Sequence, residues 1–147
     1  MSFDFVPPDE FFELLYQETE FCDGVGKTML SASRLETNLR RYLKARGIRG
    51  IGEKSTLGTL VNKLKDHGLL TRNGVMHFDD LVLKRNYLAH SLYDLFSAEI
   101  EETILPRDEL VEMDADIFSE RAQDLASYFS HFAKMVSEAN PNDEKLL

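Results

Sequence analysis

Cysteine is the residue that this sequence most nearly lacks, since Cys22 is the only one among 147 residues. A single cysteine excludes an intrachain disulfide framework and fits a reducing compartment. No apolar run approaches the roughly 18 residues that a membrane-spanning helix needs. The first residues also lack the basic region and following apolar stretch of a secretory signal. Together these absences predict a cytoplasmic protein with no membrane partner.

Strand patterns, internal repeats and low-complexity linkers are also missing from the sequence. No stretch of useful length alternates apolar and polar residues, as a half-buried strand would. A chain of 147 residues fits one domain that is large enough to bury a core without disulfides. We therefore expect a single domain over residues 1–147, with a short polar tail from about residue 140.

Apolar residues at helical spacing cover almost the whole chain and predict an all-α bundle of about five helices. The first expected helix starts at Pro8-Asp9-Glu10, and the second runs from Thr28 to Gly47. The third follows Ser55 as its N-cap and ends at Gly68. The fourth carries the apolar residues from Phe78 to Phe96, and the fifth extends from about Asp116 to Ala139. Turn signals lie at residues 23–26 and at Asn73-Gly74.

The last expected helix has the clearest pattern. Its apolar residues alternate at spacings of three and four, which is typical of the seam of a helical bundle. They are Phe118, Ala122, Leu125, Phe129, Phe132 and Val136.

Charge is distributed unevenly along the chain. The formal net charge is −9, which taken alone argues against non-specific nucleic-acid binding. Residues 27–72, however, hold eleven Lys and Arg against three Asp and Glu. This segment predicts a basic surface on an acidic body, able to meet RNA with strong salt dependence. The alternative is that these charges lie on solvated helix faces and pair with acidic neighbours.

The stretch Lys84-Arg85-Asn86-Tyr87-Leu88-Ala89-His90 puts a permanent cation, an amide and a titratable imidazole close together. Such groups suit chemistry at a phosphodiester, where charge must be neutralised and protons must move at neutral pH. Arg85 falls in the middle of the apolar stripe of its helix. Because an unpaired buried guanidinium is very costly, Arg85 must find a carboxylate, reach water or line a polar cleft.

In these residues the chain resembles the HEPN superfamily of small helical domains, many of which are prokaryotic RNases of toxin–antitoxin and antiviral defence systems. The signature of that superfamily is an Arg, usually followed by a polar residue, and then a His after four to six intervening residues. Arg85, Asn86 and His90 match it on a late helix of a helical domain.

The resemblance implies an endoribonuclease that needs no metal or other cofactor and acts as a homodimer, with two motifs facing one composite cleft. His90 would take the proton from a ribose 2′-hydroxyl or protonate the leaving oxygen, leaving a 2′,3′-cyclic phosphate. Arg85 would stabilise the extra charge on phosphorus, and Asn86 would orient the phosphate or His90. RNA is the expected substrate, and a toxin would also have a cognate antitoxin as partner.

Further residues are candidates for contacts with RNA. They are Lys44, Arg46, Arg49, Lys54, Lys84 and Tyr93. Tyr87 and Tyr93 can stack on bases or can pack the helix or a dimer seam. One HEPN branch, whose partner is a minimal nucleotidyltransferase, carries a modified Tyr two residues after the His. Leu92 occupies that position here, which argues against membership of that branch.

A non-catalytic alternative assigns the same residues a structural role. In that case Arg85 pairs with an acid of a neighbouring helix, His90 is an interface histidine, and the protein is a dimeric interaction or regulatory module. Two other signals are weaker. The stretch from Gly24 to Thr28 looks like the end of a phosphate-binding loop, but Phe21 stands where its first glycine is required. Asp79 and Asp80 near His77 suit a helix N-terminus better than a metal.

Overall fold

The computed structural model describes residues 9–97, 107–142 and 145–146, of which 107–113 are described as backbone. These ranges contain six helices: α1 (Asp9–Gln17), α2 (Thr19–Ala45), α3 (Leu57–Asp66), α4 (Arg72–His90), α5 (Leu92–Ser97) and α6 (Arg107–Glu138). They contain no strand, so the all-α prediction is confirmed. None of these helices combines the length and apolar character that crossing a membrane requires.

The two longest helices, α2 and α6, form the centre of the fold and run parallel to each other. Near the start of α2 the Thr28 hydroxyl lies 3.4 Å from the Ala122 carbonyl oxygen. Further along, the Asn38 side-chain amide donates to the Ala133 carbonyl at 2.8 Å. Residue numbers therefore increase in the same direction along both helices.

Gly24 makes the close approach of α2 and α6 possible. A Cβ atom at this position would lie 2.8 Å from the Cβ and carbonyl carbon of Ala122. The helical backbone of α2 continues through this stretch, and the Thr28 hydroxyl donates to the Gly24 carbonyl at 2.7 Å. The turn expected at residues 23–26 is therefore wrong, because the glycine there serves packing between helices.

The remaining helices pack around this pair. α4 runs antiparallel to α3, since Lys65 pairs with Asp79 while Val82 lies beside Gly58. The helix α4 begins earlier than expected, because the Thr71 hydroxyl caps it by accepting a hydrogen bond from Gly74 N at 3.0 Å. Asn73-Gly74 therefore belongs to the first turn of a helix.

Other helix ends also differ from the expectation. Thr56 caps α3 in place of Ser55, with its hydroxyl accepting from Thr59 N at 3.3 Å. α1 begins at Asp9, and Pro8 lies outside the described residues. α6 begins at Arg107 rather than near Asp116. The helices end near Gly47 and Gly68 as expected, and both glycines have positive φ.

The helix expected to reach Phe96 is divided directly after His90. Ser91 leaves the helical conformation, with φ −156° and ψ 70°, and its N–H donates to the Tyr87 carbonyl. Its hydroxyl donates to the carboxylate of Asp94 in α5. This division raises the count from about five helices to six in the described ranges. His90 is consequently the last residue of α4.

The core is apolar and contains the seam that the last helix predicts. All six seam residues of α6, from Phe118 to Val136, are buried. The tail also contributes, because Leu146 is 2% exposed and hydrogen-bonds through its backbone N–H to the Leu69 carbonyl at 2.8 Å. The part of the tail that includes Leu146 therefore returns to the bundle.

Candidate functional site

Arg85 lies near the C-terminal end of α4, where the helix faces α2. Its Nε atom is 3.5 Å from Oε1 of Glu36, and its side chain is 38% exposed. The expectation that this guanidinium must find a carboxylate or water is confirmed in both respects. The terminal Nη groups of Arg85 form no hydrogen bond with a described residue, so they can bind a further ligand.

Glu36 holds two arginines. Its Oε2 atom lies 3.8 Å from Nη2 of Arg40, and its own side chain is only 15% exposed. Arg40 in turn donates to the Ser55 carbonyl at 2.7 Å. Two guanidinium groups share one carboxylate, so the cluster of Glu36, Arg40 and Arg85 carries a net positive charge. Sequence spacing does not identify Glu36, because it lies on a different helix.

A groove of about 470 Å³ opens beside this cluster between α2 and α4. Its lining combines the charged pair with small and apolar side chains. They are Met29, Ser33, Glu36, Arg85, Leu88 and Ala89. The groove therefore combines a partly exposed cation, Arg85, with the carboxylate of Glu36 and with apolar surface.

His90 and Asn86 lie on the outer face of α4 and are exposed. Neither side chain has a hydrogen-bond partner among the described residues. Five residues of α-helix place Arg85 and His90 about 140° apart around the axis, with their Cα atoms roughly 9 Å apart. The two groups therefore share one helix end but point away from one another within one chain.

Three of the expected RNA-binding cations lie at the end of α2 or in the loop after it. Lys44, Arg49 and Lys54 are exposed at the far end of α2 and in the loop after it. Eight residues of helix separate Lys44 from Glu36, the ion-pair partner of Arg85, a distance of about 12 Å along the axis. Lys44 therefore lies about two helical turns along α2 from Arg85.

Arg46 and Tyr93, both candidates for RNA contacts, have contacts within the fold. Arg46 donates to the Pro141 carbonyl at 2.5 Å and lies over the ring of Tyr42. The ring of Tyr93 packs edge-on against Phe11, at 6.0 Å between centroids, and against Phe118. The structure therefore favours the packing alternative for Tyr93, whereas Tyr87 is 40% exposed on α4.

Lys84 lies on the other flank of α4, in a larger cleft between α4, α5 and α6. It donates to Oδ2 of Asp80 at 2.8 Å and lies 5.0 Å from the centre of the Tyr128 ring. The Tyr128 hydroxyl donates to the same oxygen of Asp80 at 3.1 Å, and His77 Nδ1 lies 3.4 Å from that hydroxyl. Spacing alone places His77, Asp80 and Lys84 on one helix face, but Tyr128 joins them only through the packing of α6.

Burial, together with the charge and hydrogen bond of Asp80, raises the pKa of Tyr128 to about 12. We expect Tyr128 to remain mostly neutral near pH 11, where an ordinary tyrosine is about 90% ionised. The folded pKa lies above the unfolded value, so the associated stabilisation is complete below about pH 10 and is lost as pH rises through 12.

Nuclear magnetic resonance of labelled tyrosine rings measures this ionisation directly. Asp80→Asn should lower the pKa of Tyr128 toward the ordinary value, because the nearby negative charge is removed. Asp79→Asn is the matched control, since Asp79 pairs with Lys65 instead. Equal titration of Tyr128 in all three proteins would contradict the role assigned to Asp80.

The phosphate-loop interpretation of residues 24–28 is wrong, because they lie within α2 and Gly24 is buried against α6. Asp80 and Asp79 bind lysines, and no group of three or more His, Cys, Asp or Glu side chains in the described ranges could hold a metal ion. Comparisons with protein-family models, curated proteins and solved structures find no significant match to this chain.

Proposed function

We propose that this protein is a metal-independent endoribonuclease of the HEPN type. The observation that carries the proposal is the placement of a partly exposed, cationic Arg85 and an exposed His90 at the same end of α4. A guanidinium stabilises negative charge on phosphorus, and an accessible imidazole transfers protons near neutral pH. These two groups supply the chemistry that cleavage of RNA through its 2′-hydroxyl requires.

In the proposed reaction the ribose 2′-hydroxyl attacks the adjacent phosphorus and the 5′-oxygen of the next nucleotide leaves. His90 accepts the proton of the 2′-hydroxyl and, once protonated, supplies a proton to the leaving oxygen. Arg85 binds the non-bridging phosphate oxygens through its terminal Nη groups while Glu36 holds its Nε. Asn86 orients the phosphate. The product is a 2′,3′-cyclic phosphate, and DNA, which lacks the nucleophile, is not cleaved.

The proposal requires two copies of the chain. Arg85 and His90 point in directions about 140° apart on α4, so one copy does not present both to one phosphate. In a two-fold dimer, Arg85 of one copy and His90 of the other can face the same substrate.

Exposed apolar side chains support an interface at this end of α4. Tyr87 and Leu83 lie on its outer face, Met29 of α2 lines the groove, and Leu30 follows it on α2. Leu30 is 73% exposed. Clustered apolar side chains at a surface are typical of a site where another protein surface is buried.

A basic stripe on α2 supports a nucleic-acid substrate. Arg34, Arg41 and Lys44 are exposed, lie at intervals that put them on one side of the helix, and have no acidic partner among the described residues. Arg49 and Lys54 continue beyond the end of the helix. A phosphate chain several nucleotides long can follow these cations from the groove, which makes binding strongly dependent on salt.

The direct test is incubation of the purified protein with transfer and messenger RNA in the presence of EDTA. We expect cleavage that EDTA does not inhibit, with 2′,3′-cyclic phosphate ends and no cleavage of single-stranded DNA of the same sequence. Products with other ends, or cleavage that EDTA abolishes in the wild type, would contradict the mechanism.

Replacing Glu36 tests how Arg85 is held. Glu36→Gln keeps the shape of the side chain but removes the charge that holds Arg85 and Arg40, so Arg85 is less well oriented. We expect kcat to fall about 10-fold, and the thermal midpoint to fall as well because the mostly buried Arg40 loses its carboxylate partner. Steady-state kinetics and thermal unfolding measure the two effects.

Asp23→Asn is the matched control for Glu36→Gln. It removes the acidic partner of an exposed i,i+4 pair with Lys27 on the same helix. This variant should cleave RNA at the wild-type rate. An unchanged kcat in Glu36→Gln would show that the ion pair does not orient a catalytic group.

The ion pair of Arg85 with Glu36 also favours a second candidate, a non-catalytic dimeric interaction module. An arginine that only stabilises packing would make such a contact with a neighbouring helix. In that case Arg85→Ala weakens the dimer, and no variant changes RNA cleavage because the wild type has none. For a toxin, the proposed partner is an antitoxin protein that neutralises cleavage.

A further inference from the structure

The cleft between α4, α5 and α6 is the larger of the two openings described above. Its volume is about 740 Å³, which lies within the range of small-molecule sites. Apolar side chains line part of its wall, among them Met76, Leu95 and Leu125. The proposed cleavage reaction uses none of these residues, and the cleft lies on the opposite flank of α4 from the groove at Arg85.

The polar wall of the cleft is organised by a chain of hydrogen bonds. Asp80 accepts from both Lys84 and Tyr128. The raised pKa keeps the phenol neutral and donating to Asp80, so the hydroxyl oxygen can accept from His77 Nδ1. A chain of this kind fixes the orientation of its members, so the wall presents a defined pattern to a ligand.

Both bonds to Asp80 end on the same oxygen, Oδ2. Its other oxygen, Oδ1, accepts no hydrogen bond from any described residue. Lys84 has three N–H groups, and one of them is directed to Oδ2. The wall therefore offers an acceptor and a donor side by side, above apolar surface.

We propose that this cleft binds a nucleobase, whose N–H donates to Asp80 Oδ1 while an adjacent ring or carbonyl acceptor receives a hydrogen bond from Lys84. Each RNA base carries a donor next to an acceptor on its Watson–Crick edge. The body of the base is apolar above and below its plane, which suits contact with Leu95 and Leu125.

The charges of the cleft favour a neutral ligand of this class over an ion. Asp80 and Lys84 neutralise one another, and the lining also includes Arg121 and Asp124, which carry opposite charges. A phosphate would meet the exposed carboxylate of Asp124, and Arg121 already donates to the Phe96 carbonyl at 2.5 Å. An organic cation would find the face of Tyr128 occupied by the ammonium group of Lys84.

The inference goes beyond the proposed cleavage, since neither Arg85 nor His90 takes part in it. The ligand can be a free nucleoside or a base within single-stranded RNA, because both present the same ring. Its test is a binding measurement, so its failure can be distinguished from the failure of RNA cleavage.

The experiment is a titration of isotope-labelled protein, followed through the amide resonances of Asp80, Lys84 and Tyr128. The probes are adenosine, cytidine, guanosine, uridine, a 2′-O-methyl RNA oligomer that cannot be cleaved, and inorganic phosphate. We expect at least one nucleoside or the oligomer to shift these resonances, and phosphate to leave them unchanged. Shifts with the oligomer alone would identify RNA as the source of the base.

Asp80→Ala should weaken binding at least 10-fold, and Tyr128→Phe should weaken it less because the ring remains. Asp79→Ala is the control for a neighbouring carboxylate outside the cleft and should bind as the wild type does. Circular dichroism checks that each variant is folded. The proposal is overturned if no base-containing probe shifts the resonances, if phosphate shifts them equally, or if folded Asp80→Ala binds with unchanged affinity.

Discussion

Replacing His90 with alanine is expected to lower RNA cleavage by about 10²–10⁴-fold, the usual contribution of a positioned general acid or base. The imidazole is exposed at the last residue of α4 and has no partner among the described residues. Its removal therefore leaves no cavity and should leave the thermal midpoint unchanged. The measurement is the initial rate on one RNA, beside thermal unfolding of the same samples.

His67→Ala is the matched control, since His67 is another exposed histidine, located at the C-cap of α3. It should cleave RNA as the wild type does. If His90→Ala keeps full activity, His90 is not the proton-transfer group. If it loses the dimer together with activity, His90 stabilises the interface rather than transferring the proton.

Mixing two inactive variants tests the two-copy site. A mixed dimer of Arg85→Ala and His90→Ala keeps one intact Arg85 and one intact His90, on different chains. If the site takes these groups from opposite copies, the mixture should recover activity that neither variant has alone. No recovery after proven subunit exchange would place both groups on one chain, contrary to the proposal.

Gly24→Ala is expected to give the largest loss of stability, about 2 kcal/mol. The added Cβ would lie 2.8 Å from backbone and side-chain atoms of Ala122, and a helix backbone cannot move away without separating α2 from α6. Overpacking of this kind costs about 1–3 kcal/mol. For a domain of this size the thermal midpoint should fall by roughly 4–8 °C, as calorimetry can measure.

Gly26→Ala provides a control of opposite sign on the same helix. A Cβ atom there would have no neighbour within 4 Å. Alanine favours helix over glycine by about 1 kcal/mol, so this variant should be more stable than the wild type. Destabilisation by both substitutions would instead mean that this part of α2 is not a regular helix.

These two glycines illustrate why the sequence could not locate every helix end. Glycine is rare inside helices, so a pattern-based interpretation places a turn at residues 23–26. What keeps Gly24 in a helix is its contact with Ala122, nearly a hundred positions later in the chain. Local propensity contains no information about such a partner, and the same holds for the pairing of Leu146 with the segment before α4.

Only the part of the candidate site that lies on one helix could be predicted from the sequence. The local pattern identified Arg85, Asn86 and His90, and burial energetics required a partner for Arg85. The sequence could not identify Glu36 as that partner, since the choice among several carboxylates depends on how α2 packs against α4. The hydrogen-bond chain at Tyr128 was missed because it joins α4 to α6.

The sequence by itself determined the all-α class, the apolar seam of α6 and the motif at the end of α4. These features depend on residue spacings of three to five, which one helix turns directly into a shared face. Only the tertiary structure decided which carboxylate pairs with Arg85, which tyrosine is packed in the core, and that His90 ends a helix before Ser91. Such outcomes depend on contacts between distant segments, and these form only when the helices pack together.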